Sequence, residues 1–225
     1  GDIIHSTPSY VGSPNAGYND ATMPGYAAFR TSKNSREPII YAGANDGMLH
    51  GFKASTGEEV LAYVPRTVFS NLNKLTASDY GASVPHEYFV DGSPIIADAF
   101  VDSSWTTVLA GGLRAGGQGI YALDITTPSN FTETGAGPAS TVLWEFSDED
   151  DADLGYTFTQ PTLNFRTHQS AQIAKMANDK WAVIIGNGYN NTAIDGNASS
   201  TGNAYLYILF IEEGTDGIWT PDDDY

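Results

Sequence analysis

The sequence has no cysteine, which excludes disulfides, thiolate metal sites and a cysteine nucleophile, although it does not fix the compartment. Cations are scarce: 10 Lys and Arg stand against 27 Asp and Glu, a formal charge of −17. Neutralising a phosphate backbone needs clustered cations, so a nucleic-acid partner is excluded. Long apolar runs are missing too; a stretch such as Ala204–Ile211 is strand-sized, against the ~18 residues that span a bilayer. Membrane insertion is not expected. Gly1 opens no charged and then apolar leader, so the chain reads as a mature product or an excised segment. Helical periodicity is confined to Val68–Leu75 and Gln169–Met176.

What is present is 41% apolar residues and 12% aromatics, enough to bury a core and unlike a disordered acidic tail. Few lysines beside many Tyr, Thr, Asn and Gly lean toward a secreted surface protein. Short runs rich in Val, Ile, Tyr, Phe and Trp are punctuated by Gly, Asn, Asp, Ser and Pro, the pattern of an all-β chain.

The runs repeat. A small polar residue, Pro and a strand recur at Thr7-Pro8-Ser9-Tyr10-Val11, Ser93-Pro94-Ile95-Ile96-Ala97 and Gln160-Pro161-Thr162-Leu163. A strand ending in glycine recurs at Ile39–Gly43, Thr107–Gly112 and Ala182–Gly188. A third strand follows at Met48–Phe52, Ile120–Asp124 and Ala204–Leu209, and a fourth at Glu59–Val64, Thr141–Phe146 and Gly217–Trp219. Such four-stranded sheets cannot bury both faces alone, and stacking them around an axis makes a β-propeller. The sequence therefore predicts about three blades, over residues 1–65, 86–146 and 154–219, with short helices in insertions at 12–38, 66–86 and 164–179. Gly43, Gly111 and Gly186 lie about 70 residues apart, wider than the roughly 40–50 of a minimal repeat. Three blades do not close a ring of about 4–8. A segment of a longer protein, or an open propeller, is expected.

Ordered stretches along the chain carry a resemblance. They include Gly1-Asp2-Ile3-Ile4-His5-Ser6, Tyr41–Phe52, Ala62-Tyr63-Val64-Pro65, Tyr88–Pro94, Leu109–Asp124, Val142–Phe146, Leu154–Phe158 and Trp181–Tyr189. Together they resemble the propeller region of the PilY/PilC-type type IV pilus tip adhesin and biogenesis factor family. The resemblance implies a place at the outer membrane and pilus tip, opposition to pilus retraction, and attachment to surfaces or host cells. It also implies an amino-terminal von Willebrand A-like domain, further blades and a calcium loop, none of them matched by residues of this chain.

Candidate sites are of three kinds. Asn45-Asp46-Gly47 between two apolar runs offers oxygens to a cation, but foremost it is a hairpin turn, since Asp and Gly tolerate the positive φ that tight turns require. Gly112, Gly116, Gly117, Gly186 and Gly188 are likewise assigned to turn geometry and close packing. The glycine-rich loop Gly111–Gly119 lacks the Gly-Lys-Ser/Thr ending of a phosphate loop, and Arg114 is expected to project from it as a contact. Acidic clusters supply candidate calcium ligands, Asp148, Asp150 and Asp153 in one loop and Asp216, Asp222 and Asp224 at the end, set against plain solvated charge. Tyr10, Tyr18, Tyr26, Tyr80, Tyr88 and Tyr189, with Asn190 and Asn191 in the Asn-rich stretch 187–203, supply rigid aromatic surface and adaptable amides for protein or glycan contact. The histidines His5, His50, His86 and His168 show no metal-ligand spacing, and no Gly-x-Ser-x-Gly elbow occurs.

These observations predict a non-enzymatic, extracellular interaction module. From the resemblance, its partners are minor pilins or other domains of the same adhesin, with a host or abiotic surface on the outer side, and Ca2+ is the one cofactor considered. The alternative is a quinoprotein-dehydrogenase-type propeller fragment. Asp46-Gly47-Met48-Leu49 with Ser55-Thr56-Gly57-Glu58 resembles that blade repeat too, but its quinone and calcium need a closed ring.

Overall fold

The computed structural model describes residues 1–167, 169–192 and 197–225, so His168 and residues 193–196 of the Asn-rich stretch lie outside the described residues. Strands β1 (Ser9–Val11), β2 (Ile39–Gly43), β3 (Leu49–Lys53) and β4 (Glu59–Tyr63) form an antiparallel meander in sequence order. A second meander follows, of β5 (Ile95–Val101), β6 (Ser104–Gly112), β7 (Gly119–Asp124) and β8 (Val142–Ser147). The all-β, propeller-type expectation is realised in these two sheets.

The second sheet is central because both of its faces are apolar. Along β7, Ile120 and Ala122 face one core with Ile95, Ala97, Trp144, Phe146, Val183 and Leu209. Their neighbours Tyr121 and Leu123 face the other, with Ile39, Tyr41, Leu49, Phe89 and Val90. Alternation of side chains along a strand feeds the two cores at once.

The third unit departs from expectation. β9 (Leu163–Asn164) pairs only with β10 (Gln169–Ser170), and the innermost strand of the third sheet is β11 (Ile173–Lys175), followed by β12 (Trp181–Gly186) and β13 (Leu206–Phe210). The helical reading of Gln169–Met176 is thus wrong. The Asn164 carboxamide oxygen accepts from the backbone N–H of Arg166 at 3.0 Å, starting a turn, and Ile173 alone of this stretch is deeply buried, opposite Val183. A run with one apolar anchor has no period to read. The closing strand expected at Gly217–Trp219 is absent as well. A 3-10 turn occupies Glu213–Asp216, and the Trp219 ring swings onto the second sheet, 4.9 Å from Phe146, where its indole N–H donates to the Glu145 carbonyl at 2.9 Å. The stretch Val68–Leu75, expected to be helical, lies in a 3-10 helix at Arg66–Thr76.

The insertion between β1 and β2 carries a helix, α1 (Tyr26–Ser32), that buries Tyr26 and Phe29, one turn apart, against the second sheet. Tyr26 is 1% exposed, so it is a core residue and not the surface aromatic that composition suggested. Its hydroxyl donates to Asp98 at 2.7 Å, as do the Thr107 hydroxyl and the Gln169 carboxamide, each also at 2.7 Å. Asp98 is 1% exposed, and these three donors satisfy a carboxylate that would otherwise be costly to bury.

Two glycines let the segment entering the second sheet pass close beside that sheet's own β6–β7 loop. A methyl added at Gly92 would overlap the Gly112 carbonyl, and one at Gly116 would overlap the Phe89 carbonyl. Gly92→Ala and Gly116→Ala should each cost about 3 kcal/mol. Gly57→Ala, with a positive φ but no neighbour for the new methyl, should cost ~1–2 kcal/mol. Urea unfolding of the three variants checks the order, and equal losses would refute it.

Burial raises the hydroxyl pKa of Tyr26, Tyr41, Tyr63 and Tyr121 above the ordinary 10, and the charge of Asp98 raises Tyr26 further, as that of Glu145 raises Tyr63 and Tyr121. The folded state keeps protons that the unfolded chain releases. This stabilisation is complete below about pH 10 and is lost as the pH rises past it. In an alkaline titration, phenolate absorbance from these rings should appear together with loss of the β-sheet circular dichroism. Reversible ionisation of all 13 tyrosines in a folded chain would contradict it.

Candidate functional site

In each meander the connection from second to third strand emerges at the end where the chain enters the first strand. That end gathers Asn45–Gly47, the loop after Gly112, the stretch after Gly186, and the connectors 64–94 and 148–162. The connectors zip the loops together. Phe89 N–H donates to the Asn45 carboxamide oxygen at 3.1 Å and Val90 N–H to the Ala44 carbonyl at 3.3 Å. Likewise Gly155 N–H donates to the Asn187 carbonyl at 2.7 Å, and Tyr156 and Tyr189 exchange backbone bonds at 2.8 and 3.0 Å. Asn45, expected foremost as a turn residue, is 2% exposed and clamps a connector.

Arg114 sits at the crossing of these strands. Its φ is 53°, its N–H donates to the Thr157 carbonyl at 3.2 Å, and its guanidinium lies 5.0 Å from the centre of the Phe158 ring. Nε is 3.6 Å from a carboxylate oxygen of Asp91, which in turn is 2.6 Å from Nδ1 of His5. His5, Asp91 and Phe158 each stand three residues before a repeated proline, Pro8, Pro94 and Pro161. The repeat thus brings one of these equivalent positions, His5, to Asp91, and the other two, Asp91 and Phe158, to one cation. Arg114 folds back onto them, with its side chain only 15% exposed.

The other candidates divide. Tyr189 is 69% exposed and held by its backbone, and Asn190 is exposed at φ 58°. Asn191 is buried, its amide donating to the carbonyls of Asp153 at 3.2 Å and Asn203 at 3.1 Å. Among the glycines, Gly112 and Gly186 end β6 and β12, Gly116 closes a 3-10 turn, Gly117 is extended, and Gly47 and Gly188 have positive φ. The carboxylates of the acidic loop serve local donors: Asp148 accepts from Gln118 at 3.1 Å, Asp150 from Ser147 N–H at 2.8 Å, and Asp153 from the hydroxyls of Ser199 and Thr201. At the far end Asp216 accepts from Ile218 N–H and Asp224 from Thr220 N–H, while Asp222 is exposed. Among the described residues no three acidic or histidine side chains converge as a metal shell.

A cleft of about 580 Å³ opens on the same end, between the 3-10 helix and the second connector. Its walls carry Arg66 paired with Glu149 at 3.7 Å, Lys74 paired with Glu87 at 3.1 Å, and the rings of Tyr88 and Tyr156. Paired charges beside tyrosine suit a polar protein surface.

A family model described as the PilY1 beta-propeller domain matches residues 1–220. The chain belongs to the PilY1 β-propeller family. It is 41% identical over 221 residues to a type IV pilus biogenesis factor PilY1 of Pseudomonas aeruginosa, covering 96% of this chain and 16% of that protein. A PilY1 homologue of Xylella fastidiosa is 40% identical over 198 residues, 86% of this chain and 14% of the relative. The crystal structure of the Pseudomonas aeruginosa PilY1 C-terminal domain superposes with a TM-score of 0.64 at 37% identity, over 91% of this chain and 35% of that one. The chain thus spans about a sixth of the length of the curated PilY1 relatives. Among its described residues no helix is long and apolar enough to cross a membrane.

Asp91 and Thr157 were missed in the sequence, although the spacing to the repeated prolines could have marked the first. Arg114→Met should cost about 3 kcal/mol, because it strips the cation from a carboxylate that is 1% exposed. Asp91→Asn in the same chain should restore part of that loss in thermal unfolding. A guanidinium serving only as a surface contact would give no change in either variant.

Proposed function

We propose that this chain is a non-catalytic display module of type IV pilus biogenesis, working on the extracellular side of the outer membrane. The observation that carries the reading is the zipped end of the strands. Connectors and loops there are cross-bonded by their backbones, so exposed groups such as Tyr189 are held in place before any partner arrives and lose little entropy on binding. The polar cleft between Arg66 and Tyr156 extends the same surface.

Minor pilins, or other domains of the same adhesin, are the partners this surface suits, and a host or abiotic surface is the outer target. By holding pilins at the tip the module would oppose retraction and support attachment. Its relatives carry names as biogenesis factors, which supports a role in assembly.

Tagged chain incubated with the sheared pilus fraction of its source bacterium should enrich minor pilins. Tyr189→Ala keeps the backbone pairing with Tyr156 and should cut that enrichment roughly tenfold, as loss of one aromatic anchor does. An eluate matching that of an unrelated bait would overturn the reading.

A further inference from the structure

The opposite end of the strands holds a second site. There the first-to-second strand connections of all three sheets emerge: the insertion with α1, the β5–β6 hairpin and the β11–β12 hairpin. They meet around a pocket of about 370 Å³ formed by Met23, Phe100, Trp105, Lys175, Asp179 and Trp181. Each contributing element lies far from the others in sequence, so the pocket exists only in the assembled fold.

Its floor and its rim differ in chemistry. Trp105 and Trp181 are 9% and 5% exposed and meet edge to face at 5.9 Å. Trp105 is locked, its indole N–H donating to the Pro24 carbonyl at 2.9 Å and its ring packed on Tyr26 at 4.9 Å. Phe100 stands edge to face on Trp105 at 5.6 Å and remains 42% exposed, an aromatic wall open to solvent. Beside these rings lies an ion pair, Lys175 to Asp179 at 2.7 Å, whose aspartate side chain is 86% exposed.

We infer that this pocket binds a neutral pyranose ring of a glycan. A pyranose offers an apolar C–H face to an aromatic wall and hydroxyls at its edge, to which an ammonium can donate and from which a carboxylate can accept a hydrogen bond. An aliphatic or aromatic side chain would fill the pocket but desolvate the ion pair without compensation. An anionic sugar is disfavoured by a chain of formal charge −17. The volume and the mix of rigid aromatic surface with a few polar groups are those of small-ligand sites in general. The site is separate from the pilin-facing end, so it stands or falls independently of that reading.

Two of the chain's 4 tryptophans line the pocket, which makes their emission the readout. D-galactose, D-mannose and N-acetyl-D-glucosamine are titrated against the intact chain, with N-acetylneuraminic acid as the anionic comparison. At least one neutral sugar should give a saturable change, and the acid none. Phe100→Ala and Asp179→Asn alter exposed groups and should leave the thermal midpoint unchanged. Each should weaken the sugar about tenfold, the scale of one ring contact or one charge-assisted hydrogen bond. No saturable change with any of the three sugars overturns the inference. So does unchanged affinity in both variants, or an emission change with an apolar peptide but with none of the sugars.

Discussion

The structure depends on one close approach, that of the segment leading into each sheet across the glycine end of a neighbouring strand. Gly92 faces the Gly112 carbonyl and Gly116 the Phe89 carbonyl, backbone to backbone with no side chain between. With the backbones that close, the connectors hydrogen-bond to loops of the preceding and following sheets. The same approach brings Asp91 and Phe158 to Arg114, and His5 to Asp91. A side chain at either glycine would push the segment entering the second sheet off its β6–β7 loop, and with it Asp91 away from Arg114.

The sequence showed this constraint as a repeat before its cause was visible. Strand-ending glycines at 43, 111 and 186, and prolines at 8, 94 and 161, marked the units because each reflects a local backbone requirement. Two whole sheets were legible for that reason, since alternation and turn chemistry are local signals. The third unit was not. Trp219 lies in a short apolar run that reads as a strand, yet its ring is worth more between Trp144 and Phe146 than along β13, a choice made by tertiary packing. Ile173 failed the other way, as a lone anchor with no period around it.

The candidate site was legible in part. Tyr189 and Asn190 were singled out from residue type, and the structure exposes both. Arg114 was recognised as important, but its partners lie 23 and 44 residues away in sequence, at Asp91 and Phe158, and no local pattern announces such a pair. Asn191 shows the limit of composition: an amide in a polar loop looks adaptable, while here both of its donor contacts are committed to carbonyls. The aromatic pocket at the other end was invisible, because its lining comes from three connections far apart in sequence.

Asp98 carries a consequence for the order in which the chain acquires its structure. Its donors arrive from residues 26, 107 and 169, so the carboxylate is buried with a full set of partners only after the third unit has docked. Synthesis from the amino terminus completes the first two sheets well before Gln169 is available. Until then the innermost strand of the second sheet holds a charge short of one donor, and closing that contact spans about 70 residues of chain, a slow, non-local step. The insertion helix and the second sheet can meet at Asp98 early, while the β9–β10 hairpin supplies the last donor and seals the carboxylate late.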